Sequence, residues 1–139
     1  MKFLLDTCVI SELIKPKPDK NVAAWIQSQN EHSLYLSVLT FGEIQKGIEK
    51  TTDTIRIQRL KSWVDEDLYI RFKSRIIPID LTVANKWGEI QAQTEKKGTP
   101  MPAIDGLIAV SGLVYNCTVV TRNISDMKNS TALLLNPWL

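Results

Sequence analysis

The chain has 139 residues, a length that predicts one domain spanning residues 1–139. Hydrophobic residues make up 44% of it and charged residues 23%, which is enough apolar surface for one continuous core and excludes a disordered chain. Lys and Arg number 17 against 15 Asp and Glu, so the net charge of +2 argues neither for nor against a nucleic-acid ligand.

The cysteines and the N-terminal residues bear on the compartment. Cys8 and Cys117 are too few for a disulfide framework, and one histidine adds too little for a zinc site, so both are expected to be core thiols. The first residues lack the long apolar core of a signal peptide, and no apolar run approaches the roughly 20 residues that span a bilayer. We therefore expect a cytoplasmic protein with no membrane partner.

The first half of the chain alternates between apolar strand-like runs and helical periods. Residues 3–5 form a short apolar run that ends at Asp6 and predicts a buried strand followed by a turn. Either Asp19 or Asn21 fits the N-cap of a helix. In order, the pattern predicts a strand at 3–5, helices at 9–14 and 22–29, a strand at 33–38, and helices at 39–50 and 53–72.

The second half continues the alternation and ends in two strands. Pro78 lacks the N–H that a central strand donates, so the strand at 76–79 is expected to be short or at an edge. Residues 103–115 are almost wholly apolar, which predicts a helix buried against the sheet. The remaining predicted elements are a helix at 81–97 and strands at 118–121 and 133–135. This alternation predicts an α/β fold in which helices flank a mainly parallel sheet.

Four acidic residues are expected to meet at one edge of this sheet. Open parallel sheets bind ligands beyond the carboxyl ends of their strands. Asp6 directly follows the first strand, and Asp126 follows the strand at 118–121 by a short turn. Glu43 and Asp105 lie in the early turns of helices that begin at that same edge. Residues far apart along the chain are therefore predicted to share one acidic site.

Such a cluster indicates a divalent cation, because neighbouring carboxylates repel one another and raise each other's pKa. Oxygen ligands favour Mg²⁺ or Mn²⁺ over Zn²⁺, and the scarcity of His and Cys agrees with this preference. One or two magnesium ions held there would polarise a phosphodiester and lower the pKa of a bound water. The predicted chemistry is therefore metal-dependent hydrolysis.

Each acidic residue also fits a purely structural role. Asp6 fits an N-cap, Asp126 a turn position, and Asp105 a helix N-terminus whose dipole favours negative charge. Residues 40–43 fit a capping box in which Glu43 bonds back to the backbone. Asp105 nevertheless stands among apolar residues, where a carboxylate needs a compensating partner. Asp80, which also follows a strand, is assigned to helix capping alone.

Four short motifs occur in order along almost the whole chain. They are Leu4-Leu5-Asp6-Thr7 with Val9-Ile10-Ser11-Glu12; Leu36-Ser37 with Thr40 and Glu43; Ala103-Ile104-Asp105-Gly106-Leu107-Ile108-Ala109; and Val120-Thr121-Arg122-Asn123 with Asp126. Together they resemble the motifs of the PIN-domain nucleases, and among these the VapC-type toxins of bacterial toxin–antitoxin pairs. The closing Asn136-Pro137-Trp138 is similar to the FitB-like branch.

The resemblance implies a three-layer α/β/α fold and a Mg²⁺-dependent endoribonuclease. It implies an acidic quartet with supporting polar residues: Asp6, Glu43, Asp105 and Asp126, with Thr7, Thr121 and Asn123 in support. Within the quartet it makes Asp6 and Asp105 the metal ligands. The family commonly has Asn at the position of Cys8, and the fourth acidic position, here Asp126, varies most.

The resemblance also implies partners. Toxins of this type resemble homodimers that a small antitoxin neutralises by inserting into the acidic groove, with operator DNA bound only through the antitoxin. Ile10, Leu13 and Ile14 are the apolar residues expected on a partner surface. Arg122, beside the site, fits either an RNA phosphate contact or a solvated surface arginine. Basic residues between 56 and 75 fit either RNA guidance or a solvated helix face.

Other functions are weighed against this one. The chain could be half of a complex that binds operator DNA with weak or absent cleavage, which an RNA cleavage assay with Mg²⁺ and then EDTA would distinguish. A phosphatase or receiver domain that uses Asp6 as phospho-acceptor is disfavoured, because Cys8 stands where a phosphatase is expected to have a second aspartate. A Ser-His-Asp hydrolase is disfavoured too, because His32 is the one histidine and no nucleophile elbow occurs.

Overall fold

A five-stranded parallel sheet forms the centre of the computed structural model, which describes all residues from Met1 to Leu139. The strands are β1 (Lys2–Leu5), β2 (Leu34–Ser37), β3 (Ile76–Ile77), β4 (Cys117–Val120) and β5 (Leu134–Leu135). Their order across the sheet is β3-β2-β1-β4-β5, and every neighbouring pair is parallel. Phe3 pairs with Leu34 of β2, and Leu5 pairs with Val120 of β4, which places β1 at the centre.

Helices connect successive strands and cover the sheet. They are α1 (Thr7–Leu13), α2 (Lys20–Ser28), α3 (Val38–Lys50), α4 (Thr54–Ser62), α5 (Tyr69–Phe72), α6 (Leu81–Lys96), α7 (Ala103–Val114) and α8 (Ile124–Met127). A π-helical segment, Trp63–Leu68, joins α4 to α5, and short 3₁₀ turns occupy Glu31–Ser33 and Lys128–Ser130. None of the helices combines the length and apolarity needed to cross a bilayer.

The core lies on both faces of the sheet, as the pleat of β1 shows. Phe3 and Leu5 pack with residues of α1, α2 and α5 on one face, whereas Leu4 packs with residues of α7 on the other. Successive side chains of a strand point to opposite faces, so a strand covered on both sides needs a continuous apolar run. The predicted three-layer α/β/α architecture is therefore confirmed.

Most predicted elements are confirmed to within a few residues of their bounds. Asp19 is the N-cap of α2, and β3 lies at the edge of the sheet, as Pro78 predicted. The predicted single helix at 53–72 is wrong in one respect, because it contains the π-helical segment. Trp63 and Leu68 are five residues apart, and the wider π turn brings both against the same apolar cluster.

Gly112 lies where α7 packs closely against β4. An added Cβ there would overlap the Val119 side chain and lie 3.2 Å from the Cys117 carbonyl oxygen. We expect Gly112→Ala to destabilise the fold by about 1–3 kcal/mol. Gly88→Ala, at an exposed α6 position with open space around it, should instead stabilise by about 1 kcal/mol. Urea unfolding measures both; an equal effect of the two substitutions would contradict this packing.

Candidate active site

Asp6 anchors the site at the carboxyl end of β1. Its backbone N–H donates to the Val120 carbonyl at 2.9 Å, which extends the pairing of β1 with β4 to the sheet edge. Its side chain is 2% exposed and caps α1, with Oδ1 accepting the Thr7 N–H at 2.8 Å. The Thr121 hydroxyl donates to Oδ2 at 2.7 Å. Asp6 therefore fills its structural role and still presents a carboxylate at the predicted edge.

Glu43 reaches the same edge from α3. The N-cap of α3 is Ser37, whose hydroxyl accepts the Leu39 N–H at 3.0 Å, so the capping box at residues 40–43 is wrong. Glu43 instead lies in the second turn of the helix, where its side chain is not needed by the first N–H groups. The Thr7 hydroxyl donates to Glu43 Oε1 at 2.6 Å and lies 3.0 Å from the Thr40 hydroxyl. This contact directs Glu43 toward the end of β1.

Asp105 occupies the first turn of α7 and is half-buried. Burial, and after it the negative charges of Asp6, Asp126 and Glu43 in that order of effect, together raise the pKa of its carboxyl from 3.8 to about 6. Each of the three other predicted acidic residues thus lies near enough to raise the pKa of Asp105. The structure brings the four carboxylates into one electrostatic neighbourhood at the carboxyl edge.

The loop after β4 adds the last members of the site. Thr121 is fully buried, and its hydroxyl accepts the Asn123 N–H at 2.9 Å while it donates to Asp6. Asp126 follows in the first turn of α8, with an exposed side chain. Thr121 and Asn123 therefore connect the loop to Asp6, whereas Asp126 lies at the mouth of the site.

No cationic side chain balances these four carboxylates. The ion pairs of the molecule are Lys15–Glu12, Arg71–Glu31, Arg75–Glu31 and Lys86–Glu89, all outside the cluster. The influences on the pKa of Asp105 include no hydrogen bond and no positive charge that would offset its burial. The N-terminus of α7 offers it a favourable dipole, which is a weaker compensation than an ion. The cluster therefore holds excess negative charge.

The donor set fits a hydrated magnesium ion. No three His, Cys, Asp or Glu side chains stand close enough to hold a metal ion together. Mg²⁺ dehydrates reluctantly and usually takes one or two carboxylates while it keeps several waters, so it does not need a cage of three side chains. Asp6 and Asp105 are the buried and half-buried members that could supply those carboxylates.

Cys8 packs against the main apolar cluster, as predicted for a core thiol, and it also contacts the site. It is half-buried, and its thiol donates to Asp6 Oδ2 at 3.5 Å and accepts the Arg122 N–H at 3.5 Å. Burial first and then the charge of Asp6 raise its thiol pKa to about 11, so the sulfur keeps its proton at neutral pH. Cys117, by contrast, is buried in the core as expected.

A groove of about 640 Å³ opens beside Thr7 and Glu43. Its lining includes the basic residues Lys15, Arg56 and Arg59 and the apolar residues Ile14, Ile44, Leu60 and Trp63. Ile14 is exposed in this groove. Ile10 is only 2% exposed, so the assignment of Ile10 to a partner surface is wrong. Of the basic residues between 56 and 75, Arg56 and Arg59 line this groove, whereas Arg71 and Arg75 both pair with Glu31 at 2.7 Å.

Sequence reasoning missed the contacts of Thr40, Cys8 and Trp138. The ring of Trp138 lies under the guanidinium of Arg122, with Arg122 Cζ 4.3 Å from its centroid. The polar pattern around residues 37–43 could have shown that Ser37 caps α3 and so releases Glu43. No local signal connects Trp138 with Arg122, because one follows β4 and the other follows β5, and the pairing of these strands brings the two together.

Asp105→Asn should stabilise the protein at neutral pH when no divalent cation is present. The folded-state pKa of Asp105, about 6, lies above the ordinary 3.8, so the folded chain retains a proton that the unfolded chain has released. Stability is therefore lost as the pH rises from about 4 to about 6, and by about pH 7 the loss should be about 1 kcal/mol for this partly exposed group. Urea unfolding in EDTA measures it, and a difference between the two proteins that is the same at about pH 4 and about pH 7 would contradict it.

Comparisons with known proteins agree with this geometry. A family model described as the PIN domain matches residues 3–128. The VapC ribonuclease Y4jK of Sinorhizobium fredii is 31% identical, with 98% of this chain and 97% of the relative covered. Toxin FitB of Neisseria gonorrhoeae is also 31% identical, with 98% of each covered.

A solved structure extends the similarity to the backbone. A chain in the structure of FitAB bound to an IR36 DNA fragment has a TM-score of 0.92 and 31% identity, with 99% of this chain and 96% of that chain covered. The family match includes all four acidic residues, and both relatives align over 98% of this chain. This chain therefore belongs to the PIN-domain family, as its four acidic motifs implied.

Proposed function

We propose that this protein is a magnesium-dependent endoribonuclease that acts as the toxin of a toxin–antitoxin pair, with Mn²⁺ as a possible substitute ion. The observation that carries the proposal is Asp105, a half-buried carboxylate beside three others with no cation to balance them. A relative named as a ribonuclease and another named as a toxin support RNA as the substrate and toxicity as the role. The expected location of the activity is the cytoplasm.

The ion, when bound, would polarise the phosphodiester and lower the pKa of a bound water. Asp6 and Asp105 would hold it, and Asp6 is oriented for this by the Thr7 N–H and the Thr121 hydroxyl. Glu43 Oε1 already accepts the Thr7 hydroxyl, so its second carboxylate oxygen is free to accept a proton from the attacking water. Asp126 adds negative charge that increases the demand for a cation.

The partners follow from the same site. We propose a homodimer that binds a small antitoxin, with operator DNA contacted only through that antitoxin. A Lys or Arg of the antitoxin would balance the carboxylates in place of the ion, and the groove with Ile14 and Trp63 would take apolar side chains beside it. The structure of FitAB bound to a DNA fragment supports a complex of this kind on DNA. Coexpression with a neighbouring small reading frame tests it, and the absence of a complex would count against it.

Cleavage itself is tested with Asp105→Asn. The unaltered protein should cut RNA in Mg²⁺ and stop in EDTA, and Asp105→Asn should abolish cleavage and growth inhibition because a metal ligand is lost. Glu43→Gln should slow cleavage by roughly 100-fold, since a base that contributes 10²- to 10⁴-fold is removed. Asp65→Asn, an exposed carboxylate outside the site, is the matched control and should cut normally. Retained activity in Asp105→Asn would refute the assignment of that residue, whereas no cleavage by the unaltered protein in Mg²⁺ would favour the DNA-binding alternative.

Metal binding is tested without cleavage by thermal unfolding. An ion that binds only the folded chain should stabilise it by about 2.7 kcal/mol when its concentration is about 100 times the dissociation constant. Mg²⁺ should therefore raise the melting temperature of the unaltered protein, and of Asp65→Asn, above that in NaCl of equal ionic strength. Asp105→Asn should lose this increase. An equal Mg²⁺ effect on Asp105→Asn would place the ion elsewhere.

A further inference from the structure

We propose that Trp138 is a positioning residue that holds the guanidinium of Arg122 at the mouth of the acidic site, where it binds a phosphate of the RNA. This inference rests on the proposed nuclease function and assigns a role to the C-terminal segment. Arg122 follows Thr121, whose hydroxyl bonds to Asp6, and its own N–H donates to Cys8. Its backbone is therefore fixed directly beside the carboxylates.

The Arg122 side chain is stacked and has no acidic partner. Its Cζ lies 4.3 Å from the centroid of the Trp138 ring, and none of the ion pairs of the molecule includes it. A guanidinium stacked on an aromatic face keeps its N–H donors in its own plane, where they can bind an anion in bidentate fashion. The stack thus limits the motion of Arg122 without using its hydrogen-bonding capacity.

Trp138 is itself held in place through both its backbone and its ring. Its backbone N–H donates to Asn136 Oδ1 at 2.9 Å, and the Asn21 side-chain amide donates to its carbonyl at 2.9 Å. The ring is half-buried and packs against the main apolar cluster. The Thr121 N–H also donates to the Leu135 carbonyl at 2.9 Å, which joins the loop of Arg122 to the strand that leads to Trp138. Both members of the stack are therefore built on the same part of the sheet.

Arg122 could instead pair with Glu12 or neutralise the acidic site, but the contacts favour neither role. It is not needed by Glu12, whose oxygens already accept Lys15 Nζ at 2.9 Å and the Asp19 N–H at 3.0 Å. These two bonds are the main causes that lower the pKa of Glu12, and Arg122 is the smallest. Nor does Arg122 neutralise the acidic site, because its charge is not among those that act on Asp105. Because Arg122 acts only weakly on Glu12 and forms no ion pair, its N–H donors are available to an external anion, and the proposed RNA substrate would bring phosphate to this edge.

The test measures binding of a fluorescent single-stranded RNA of mixed sequence, in EDTA and at several salt concentrations. Arg122→Gln should weaken binding and reduce the slope of log affinity against log salt by about 0.7, the value for one phosphate contact on a single strand. Trp138→Leu keeps apolar bulk but removes the aromatic face, and should weaken binding about threefold. Trp138→Phe keeps an aromatic face and should bind nearly as well as the unaltered protein.

Lys2→Gln is the charge-matched control. Lys2 is an exposed cation at the first residue of β1, the strand whose other end leads into Asp6, so its loss should leave RNA binding unchanged. In Mg²⁺, Trp138→Leu should raise KM with little change in kcat, because the carboxylates are intact. The double variant Arg122→Gln/Trp138→Leu should bind like Arg122→Gln alone, because Trp138 acts through Arg122.

Several outcomes would overturn the inference. Trp138→Leu could bind RNA as well as the unaltered protein, with or without a lower melting temperature, or its effect could add fully to that of Arg122→Gln. Either result would make Trp138 a structural residue only. If the unaltered protein binds and cuts RNA while these variants match it, the nuclease proposal stands and this inference alone fails. If the unaltered protein neither binds nor cuts RNA, both fail.

Discussion

The burial of the Asp6 carboxylate at the end of β1 is the constraint on which the acidic edge depends. A buried carboxylate is costly unless its oxygens accept hydrogen bonds, and here the Thr7 N–H, the Thr121 hydroxyl and the Cys8 thiol all donate to it. These donors come from α1 and from the loop after β4, so satisfying Asp6 also fixes the elements around it. The same charge then acts on Asp105 from the other side.

The fold keeps like charges together at a cost in stability. Asp105 enters the site from the apolar helix α7, which packs on the sheet and cannot move away without opening the core. Its raised pKa is the sign of that cost, since burial and three neighbouring carboxylates all oppose its ionisation. A site that is strained in this way gains stability from any cation that enters it, whether a metal ion or a basic side chain of a partner.

Some basic side chains of the chain form ion pairs within the fold, and others have no ion pair and can bind a ligand. Arg71 and Arg75 form ion pairs with Glu31, and Lys15 forms one with Glu12. The number of basic residues in the sequence therefore says little about RNA binding. Arg56 and Arg59 line the groove beside Glu43, and Arg122 is stacked on Trp138. A net charge near balance thus conceals a local arrangement in which free cations border an acidic site.

The order of strands and helices along the chain, and the edge at which the acidic residues lie, could be predicted from the sequence. Apolar runs and helical periods are local signals, so they place Asp6 after β1 and Asp105 in the first turn of α7. The contacts among the side chains at that edge could not be predicted in this way. Glu43 is not a cap because the N-cap of α3 is Ser37. Cys8 contacts Arg122, and Trp138 contacts Asn21, across more than one hundred residues of the chain. Such contacts depend on how strands pair across the sheet, and no local pattern along the chain encodes that distance.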